Sequence, residues 1–352
     1  MYGITSTKTE FEHVRCVHHE PALRVLLVMP GLSLEPWFLS RVCVPVVERL
    51  PGWLHPNLIT LLNLAVSCTT LYCVTYTVTG FRWWCLWGYL LTTLLDCLDG
   101  MHARATHRCS YFGQWLDHTC DAFNVPALTY CALTALDLTG RQPLLVAACM
   151  IMSFYAYHFQ LAAQRYHDGR FPTLTTDGVT GQLITSVLIA LYASMKYVGC
   201  TWPPEVITCV GILTFLTMWL DVLSMCSQVG YPGQRLSSVL SAFMYGIPLF
   251  MVVISTKPDV HFHWLIAQAT VLNFLCVTCN VGQIAHVKVR NHNFMSFVFV
   301  QMALEQTAFS VLWLLGQSFL QSPTIILFYQ ALWYIFYCMQ TAFDFMYCMQ
   351  AY

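Results

Sequence analysis

Residues 96–121 read DCLDGMHARATHRCSYFGQWLDHTCD and hold four aspartates and two arginines, in a chain of 352 residues of which only 9% are charged. Asp96 and Asp99 are three apart, and Asp117 and Asp121 four apart, so within a helix each pair projects from one face. A straight helix from Asp99 to Asp117 would separate the pairs by about 27 Å. A turn within THRCSYFG, a polar run closed by Gly113, instead brings all four together. Carboxylates crowded at low dielectric repel one another and are relieved by protonation or by a bound cation. Oxygen donors suit a hard divalent ion, Mg²⁺ or Mn²⁺, and four carboxylates suffice to hold two. The ordinary reading of such a stretch is juxtamembrane charge paired with Arg104, Arg108 and nearby histidines. The spacing argues against it. Gly100 directly after Asp99, Arg104 a turn further on and Gly113 four before Asp117 leave room for the close approach of a phosphate-bearing ligand.

The rest of the composition places this stretch in a membrane protein. Hydrophobic residues make up 57% and aromatic residues 14% of the chain, and its mean hydropathy is +0.58. So little polar surface cannot cover a soluble globule. A net charge of −1 with basic residues scattered singly supplies no field for nucleic acid, which is excluded as a partner. The 17 cysteines fall in apolar runs, where a thiol behaves as a small hydrophobe, and are read as reduced. Cys276 and Cys279 have C-x-x-C spacing but no second Cys or His pair beside them, which argues against zinc.

No cleavable leader is expected, because ALRVLLVMPGL at 22–32 is short and interrupted by Arg24 and Pro30. PWFLSRVCVPVVERL at 36–50 mixes apolar residues with Arg41, Glu48 and Arg49 and is expected to lie at the membrane surface. Ten apolar stretches long enough for about 30 Å of hydrocarbon then follow, at 58–79, 82–98, 117–139, 143–163, 182–199, 204–225, 236–256, 263–285, 294–317 and 323–346. The expected architecture is an all-α membrane bundle of about ten spans. Residues 1–56 form a cytosolic N-terminal segment with an interfacial helix, and residues 57–352 one membrane domain. With both ends cytosolic, 12 basic residues lie inside and four, Arg82, Arg141, Lys196 and Lys257, outside. That orientation sets the aspartates at the cytosolic ends of the second and third spans.

Asp96, Asp99, Gly100, Ala103, Arg104, Gly113, Asp117 and Asp121 fit D-x-x-D-G-x-x-A-R-x8-G-x-x-x-D-x-x-x-D, which resembles the signature of the CDP-alcohol phosphotransferases. PNLITLLN before the first span, DHTCD, YHDGRF with DGVTGQ, and AHVK after the eighth span further resemble the eukaryotic choline/ethanolaminephosphotransferases. The resemblance implies transfer of phosphoethanolamine or phosphocholine from CDP-ethanolamine or CDP-choline to diacylglycerol or an alkyl-acylglycerol, with release of CMP. It implies metal ligation of two Mg²⁺ or Mn²⁺ ions by Asp96, Asp99, Asp117 and Asp121, and a further role of Asp121 as base. Gly100, Ala103, Arg104 and Gly113 would line the CDP site, with Asn57 near the phosphates. A lipid hydroxyl needs a base at neutral pH, and His286 matches the family's histidine after the eighth span. The same resemblance implies a homodimer in the endoplasmic reticulum or Golgi, with its site facing the cytosol.

Other histidines receive lesser parts: His118 a supporting position, His102 and His107 a solvated one. The chain departs from the family's pattern at Asn63, Met101, Gln114, Thr119, Gln164 and Gly181. None of these removes a proposed metal ligand, but they bear on the amino alcohol accepted. An ammonium group would be met by acidic or aromatic neighbours, for which Trp83, Trp84, Trp87, Trp115, Tyr155 and Tyr157 are candidates. Three further readings stay open at this point: a synthase using CDP-diacylglycerol, a divalent-cation transporter, and an inactive lipid-binding paralogue.

Overall fold

The computed structural model describes residues 33–164, 178–228 and 262–284, together with Leu249 and Val253. Among these residues every regular element is a helix. Two short helices, α1 (Glu35–Phe38) and α2 (Val44–Val47), flank a π-helical turn at Leu39–Cys43. Long helices follow: α3 (Pro56–Thr75), α4 (Phe81–Ala105) and α5 (Tyr111–Ala135). After the short α6 (Leu138–Arg141) come α7 (Pro143–Gln164), α8 (Gly178–Tyr197), α9 (Pro204–Gln228) and α10 (Phe262–Ile284).

Four of these helices, α3, α7, α8 and α9, contain windows long and apolar enough to cross a bilayer, the windows being Pro56–Thr75, Pro143–Leu161, Gly178–Tyr197 and Pro204–Ser227. The protein is an integral membrane protein. Helices α4 and α5 have the length to cross, about 37 Å at 1.5 Å per residue, but carry the charges that set the fold's chemistry. The spans expected at 236–256, 294–317 and 323–346 lie outside the described residues, apart from Leu249 and Val253.

Local sequence explains where the helices that matter begin. Pro56 stands at the first position of α3, where its missing N–H costs nothing, and the Nδ1 of His55 accepts from the Asn57 amide at 3.2 Å. Ser110 caps α5 by accepting from the Gly113 amide at 3.0 Å. The connection between α4 and α5 is therefore only Thr106 to Ser110, with His107 at a positive φ of 56°. The polar run does turn back as expected, but the helices extend much further into it than the apolar windows did. Gly113 lies inside α5 rather than closing the turn.

Helix α3 lies against both α4 and α5, α8 covers α4, and α10 packs between α5 and α7. The main core joins Ala127, Leu128 and Cys131 of α5 to Met150 and Phe154 of α7 and to Leu265, Ala269 and Leu272 of α10. The N-terminal helical segment, with Phe38 and Cys43 buried, packs with Leu95 and Leu98 of α4 and Val179 of α8. At the opposite end of α4 from the aspartates, Asp137 follows α5 in the left-handed conformation, φ 62°. Its carboxylate accepts from Arg82 and from the Tyr192 hydroxyl at 2.7 Å, and pairs with Lys196 at 2.9 Å. Arg82 also donates to the Ala135 carbonyl at 3.0 Å. One carboxylate thus ties together α4, α5 and α8, using two of the basic residues that the charge bias assigns to a common side. Among the described residues Cys43, Cys85 and Cys131, all buried, are free thiols.

Candidate metal and donor site

Because α4 and α5 run antiparallel after a short turn, the last turns of one face the first turns of the other. Asp96 from α4 and Asp117 and Asp121 from α5 each place a carboxylate oxygen within 4.8 Å of the other two, and all three are partly buried. Such a set of oxygen donors fits a hard divalent cation and would be unstable as three bare charges.

Asp99, the fourth aspartate, is set differently. Only 5% exposed, it accepts from the Thr60 hydroxyl at 2.6 Å and from the Gly100 amide at 2.6 Å. Its field reaches Asp117 and Asp121, but it stands outside the three-carboxylate group. Thr60 was not singled out from sequence. Its signal was its place one turn after Asn57 on the face of α3 that meets α4.

Around the carboxylates, the glycines act through space they leave open. A Cβ at Gly113 would lie 3.2 Å from Ser110 Oγ and 3.3 Å from Asn57 Oδ1, so glycine there lets the start of α3 approach the start of α5. A Cβ at Gly100 would stand 3.4 Å from the Arg104 guanidinium, so that cation folds back over Gly100 while the side chain as a whole is exposed. Ala103 is half-buried beside it. Asn57, Gly100, Ala103, Arg104 and Gly113 therefore surround the same helix ends as the aspartates. His286 lies outside the described residues, as do YHDGRF, apart from its neighbour Gln164, and AHVK.

Two histidines differ in their settings. His107 is exposed, as expected. His102 is not solvated: it is 1% exposed and its Nε2 lies 2.9 Å from the Leu54 carbonyl. Residue 102 falls on the face of α4 toward the 51–55 loop, and Arg108 donates to the Trp53 and Leu54 carbonyls from the other side. Together they hold the segment that leads into Asn57. His118 is 3% exposed, and its carbonyl accepts from the Tyr157 hydroxyl at 2.7 Å. That bond fixes α7 to α5 between Asp117 and Asp121, which brings Tyr157 within reach of the carboxylates' charge. Trp83, Trp84 and Trp87 are exposed near the far end of α4. Asn124, one turn beyond Asp121, is 3% exposed and was also missed from sequence.

Residues 53–227 match the family model described as CDP-alcohol phosphatidyltransferase. The chain belongs to this family. The matched segment begins just before α3 and ends in α9, so it contains every carboxylate of the site. Among similar proteins, cholinephosphotransferase 1 of Gallus gallus is 34% identical over 137 residues, 36% of this chain and 41% of that protein. Cholinephosphotransferase 1 of Homo sapiens is 35% identical over 155 residues, 41% of this chain and 36% of that protein. A Dictyostelium discoideum protein named as an uncharacterized CDP-alcohol phosphatidyltransferase class-I family protein 2 is 25% identical over 191 residues, 52% of this chain and 45% of its own length. The matches thus span less than half the length of these relatives.

Proposed function

We propose that this protein transfers a phosphoamino-alcohol, phosphoethanolamine or phosphocholine, from its CDP ester to the free hydroxyl of diacylglycerol or an alkyl-acylglycerol, forming a phospholipid and CMP. The observation that carries the reading is the meeting of Asp96, Asp117 and Asp121 at the ends of two antiparallel helices within the family-matched segment.

Asp96, Asp117 and Asp121 would hold the divalent ions, Mg²⁺ or Mn²⁺, with Asp99 completing the set or orienting it through Thr60. When bound, two such ions supply charge neutralisation of the donor's pyrophosphate and of the charge that develops in transfer. Arg104, held above Gly100, adds a guanidinium suited to bidentate recognition of phosphate. Asn57 and Gly113 bound the same space from α3 and α5. In the reaction, the lipid hydroxyl forms a bond to the β-phosphorus as the bond to the CMP oxygen breaks. The hydroxyl proton goes to a base, for which Asp121 and His286 are the proposed groups. The segment 1–56 with a helix at the membrane interface, a membrane domain over 57–352, a homodimer and a cytosol-facing site in the endoplasmic reticulum or Golgi belong to the same proposal.

The test is turnover by the full chain reconstituted in lipid vesicles with diacylglycerol, Mg²⁺ or Mn²⁺, and CDP-choline and CDP-ethanolamine in competition. The expected result is labelled phospholipid and CMP from at least one of the two. Phospholipid formed only from CDP-diacylglycerol and a soluble alcohol would overturn the proposed direction of transfer.

A further inference from the structure

Helices α3 and α4 run antiparallel, and two contacts fix their register. At one end the Thr60 hydroxyl donates to Asp99; at the other, Thr70 presses on Gly88, where a Cβ would meet its Oγ1 at 2.0 Å. Between these contacts Thr60, Asn63, Ser67 and Thr70 form one stripe of α3, and Asp99, Asp96, Thr92 and Gly88 form the facing stripe of α4. The register sets Asn63 level with Asp96, and Ser67 level with Thr92 one turn deeper in the bundle.

Three of these side chains are in an unusual condition. Asn63 is 1% exposed, Ser67 0% and Thr92 3%. Asn63 Oδ1, Ser67 Oγ and Thr92 Oγ1 have no hydrogen-bond partner among the described residues. Thr70 and Thr93, neighbours of the same type, each donate to a carbonyl one turn back, and Thr60 donates to Asp99. Serine and threonine in helices have that partner available at all times, so hydroxyls that leave it unused, buried beside Asp96, are set for something else. The group offers an acceptor next to the carboxylates and two hydroxyls deeper along the seam. That order matches a glycerolipid with one free hydroxyl and ester carbonyls below it, entering from the bilayer with its hydroxyl toward Asp96.

We propose that the α3–α4 seam formed by Asn63, Ser67 and Thr92 binds the glycerol portion of the acceptor lipid, with the free hydroxyl at Asn63 and the ester carbonyls at Ser67 and Thr92. The inference rests on the proposed function for the identity of the acceptor, but the seam is a lipid site in its own right. Removing its polar atoms weakens acceptor binding and leaves the donor untouched.

The experiment uses the full chain in proteoliposomes, with Thr92→Val, Ser67→Ala and Asn63→Leu. Thr92→Val keeps the shape and removes an unpartnered hydroxyl, so it folds and its thermal midpoint does not fall. Two readouts are taken. The first is the pair of Michaelis constants: each variant raises KM for 1,2-diacylglycerol by about tenfold with the KM for the CDP-alcohol unchanged, the signature of lost acceptor binding. The second is photolabelling of α3 and α4 by a diazirine diacylglycerol without any donor. Labelling is competed by 1,2-diacylglycerol, not by triacylglycerol, which lacks the hydroxyl, and is lost in Thr92→Val. Labelling that triacylglycerol competes equally, or that folded variants retain in full, shows a seam holding water or lipid at large and overturns the proposal. Wild-type protein that is labelled selectively yet makes no phospholipid from either CDP-alcohol refutes the proposed function while the lipid site stands.

Discussion

Asp99 and Asp137 show how one carboxylate's neighbours decide what it does. Asp99 sits beneath the Thr60 hydroxyl, a charge-assisted hydrogen bond whose loss costs about 1.5–3 kcal/mol. Thr60→Val keeps the shape of the side chain but leaves the buried Asp99 without that donor, so it is expected to lower turnover by roughly tenfold or more and to lower the thermal midpoint as well. Unchanged kinetics in that variant would remove Thr60 from the site. Asp137 is structural. Partial burial pushes its pKa up, but Tyr192, Lys196 and Arg82 outweigh this and hold it below its ordinary value. A carboxylate depressed in the folded state stabilises the fold above its unfolded pKa, and this contribution is lost as pH falls through the lower folded value. Asp137→Asn should therefore lose about 1–3 kcal/mol at neutral pH, a deficit that shrinks in acid below the ordinary carboxylate range; equal deficits at both pH values in thermal unfolding would contradict the assignment. The motif aspartates were legible because their spacing alone puts pairs on one face. Thr60, Asp137 and the buried His102 were not, because their partners are 39, 55 and 48 residues away in sequence, and only packing brings them near.

Helices were harder to delimit than to detect. Apolar windows end at charge, so 82–98 and 117–139 stop short of or overrun α4 and α5, which reach Ala105 and begin at Tyr111. Charge does not break a helix whose carboxylates face inward and whose ends are capped by Ser110 and a short turn. Helices α3 and α4 approach closely at Gly88, where the Thr70 side chain fills the space a Cβ would need. Gly88→Ala is expected to force α3 from α4 at a cost of about 1–3 kcal/mol. Thr70→Ala, which removes the two nearest of the clashing atoms, should recover part of that loss in a double-mutant cycle. Additive losses measured by thermal unfolding would mean the two residues do not meet.

Among the described residues, Asp96, Asp117 and Asp121 come together where α4 meets α5, and Arg82 and Lys196 converge on Asp137 at the other end of α4. The charge bias of the sequence sets Arg82 and Lys196 on a common side, and the spacing of four aspartates anticipates where the chain must turn. The acceptor side was not legible, because threonine, serine and asparagine in an apolar run read as ordinary helix residues until the register shows them buried and unpartnered. Removing divalent metal with EDTA should abolish turnover of the reconstituted protein, and Mg²⁺ or Mn²⁺ should restore it; turnover that persists in EDTA would exclude the carboxylates as a metal site. The most direct test of the central claim is the turnover of Asp117→Asn with saturating metal, beside Glu205→Gln, an exposed residue of α9. Taking one charge from a crowded group relieves repulsion, so the variant should stay folded. Carboxylate–metal contacts aligned with a reacting phosphate contribute several kcal/mol, so its turnover should fall by about a hundredfold or more with the thermal midpoint retained, while Glu205→Gln behaves as wild type; near-normal turnover by folded Asp117→Asn would contradict the account.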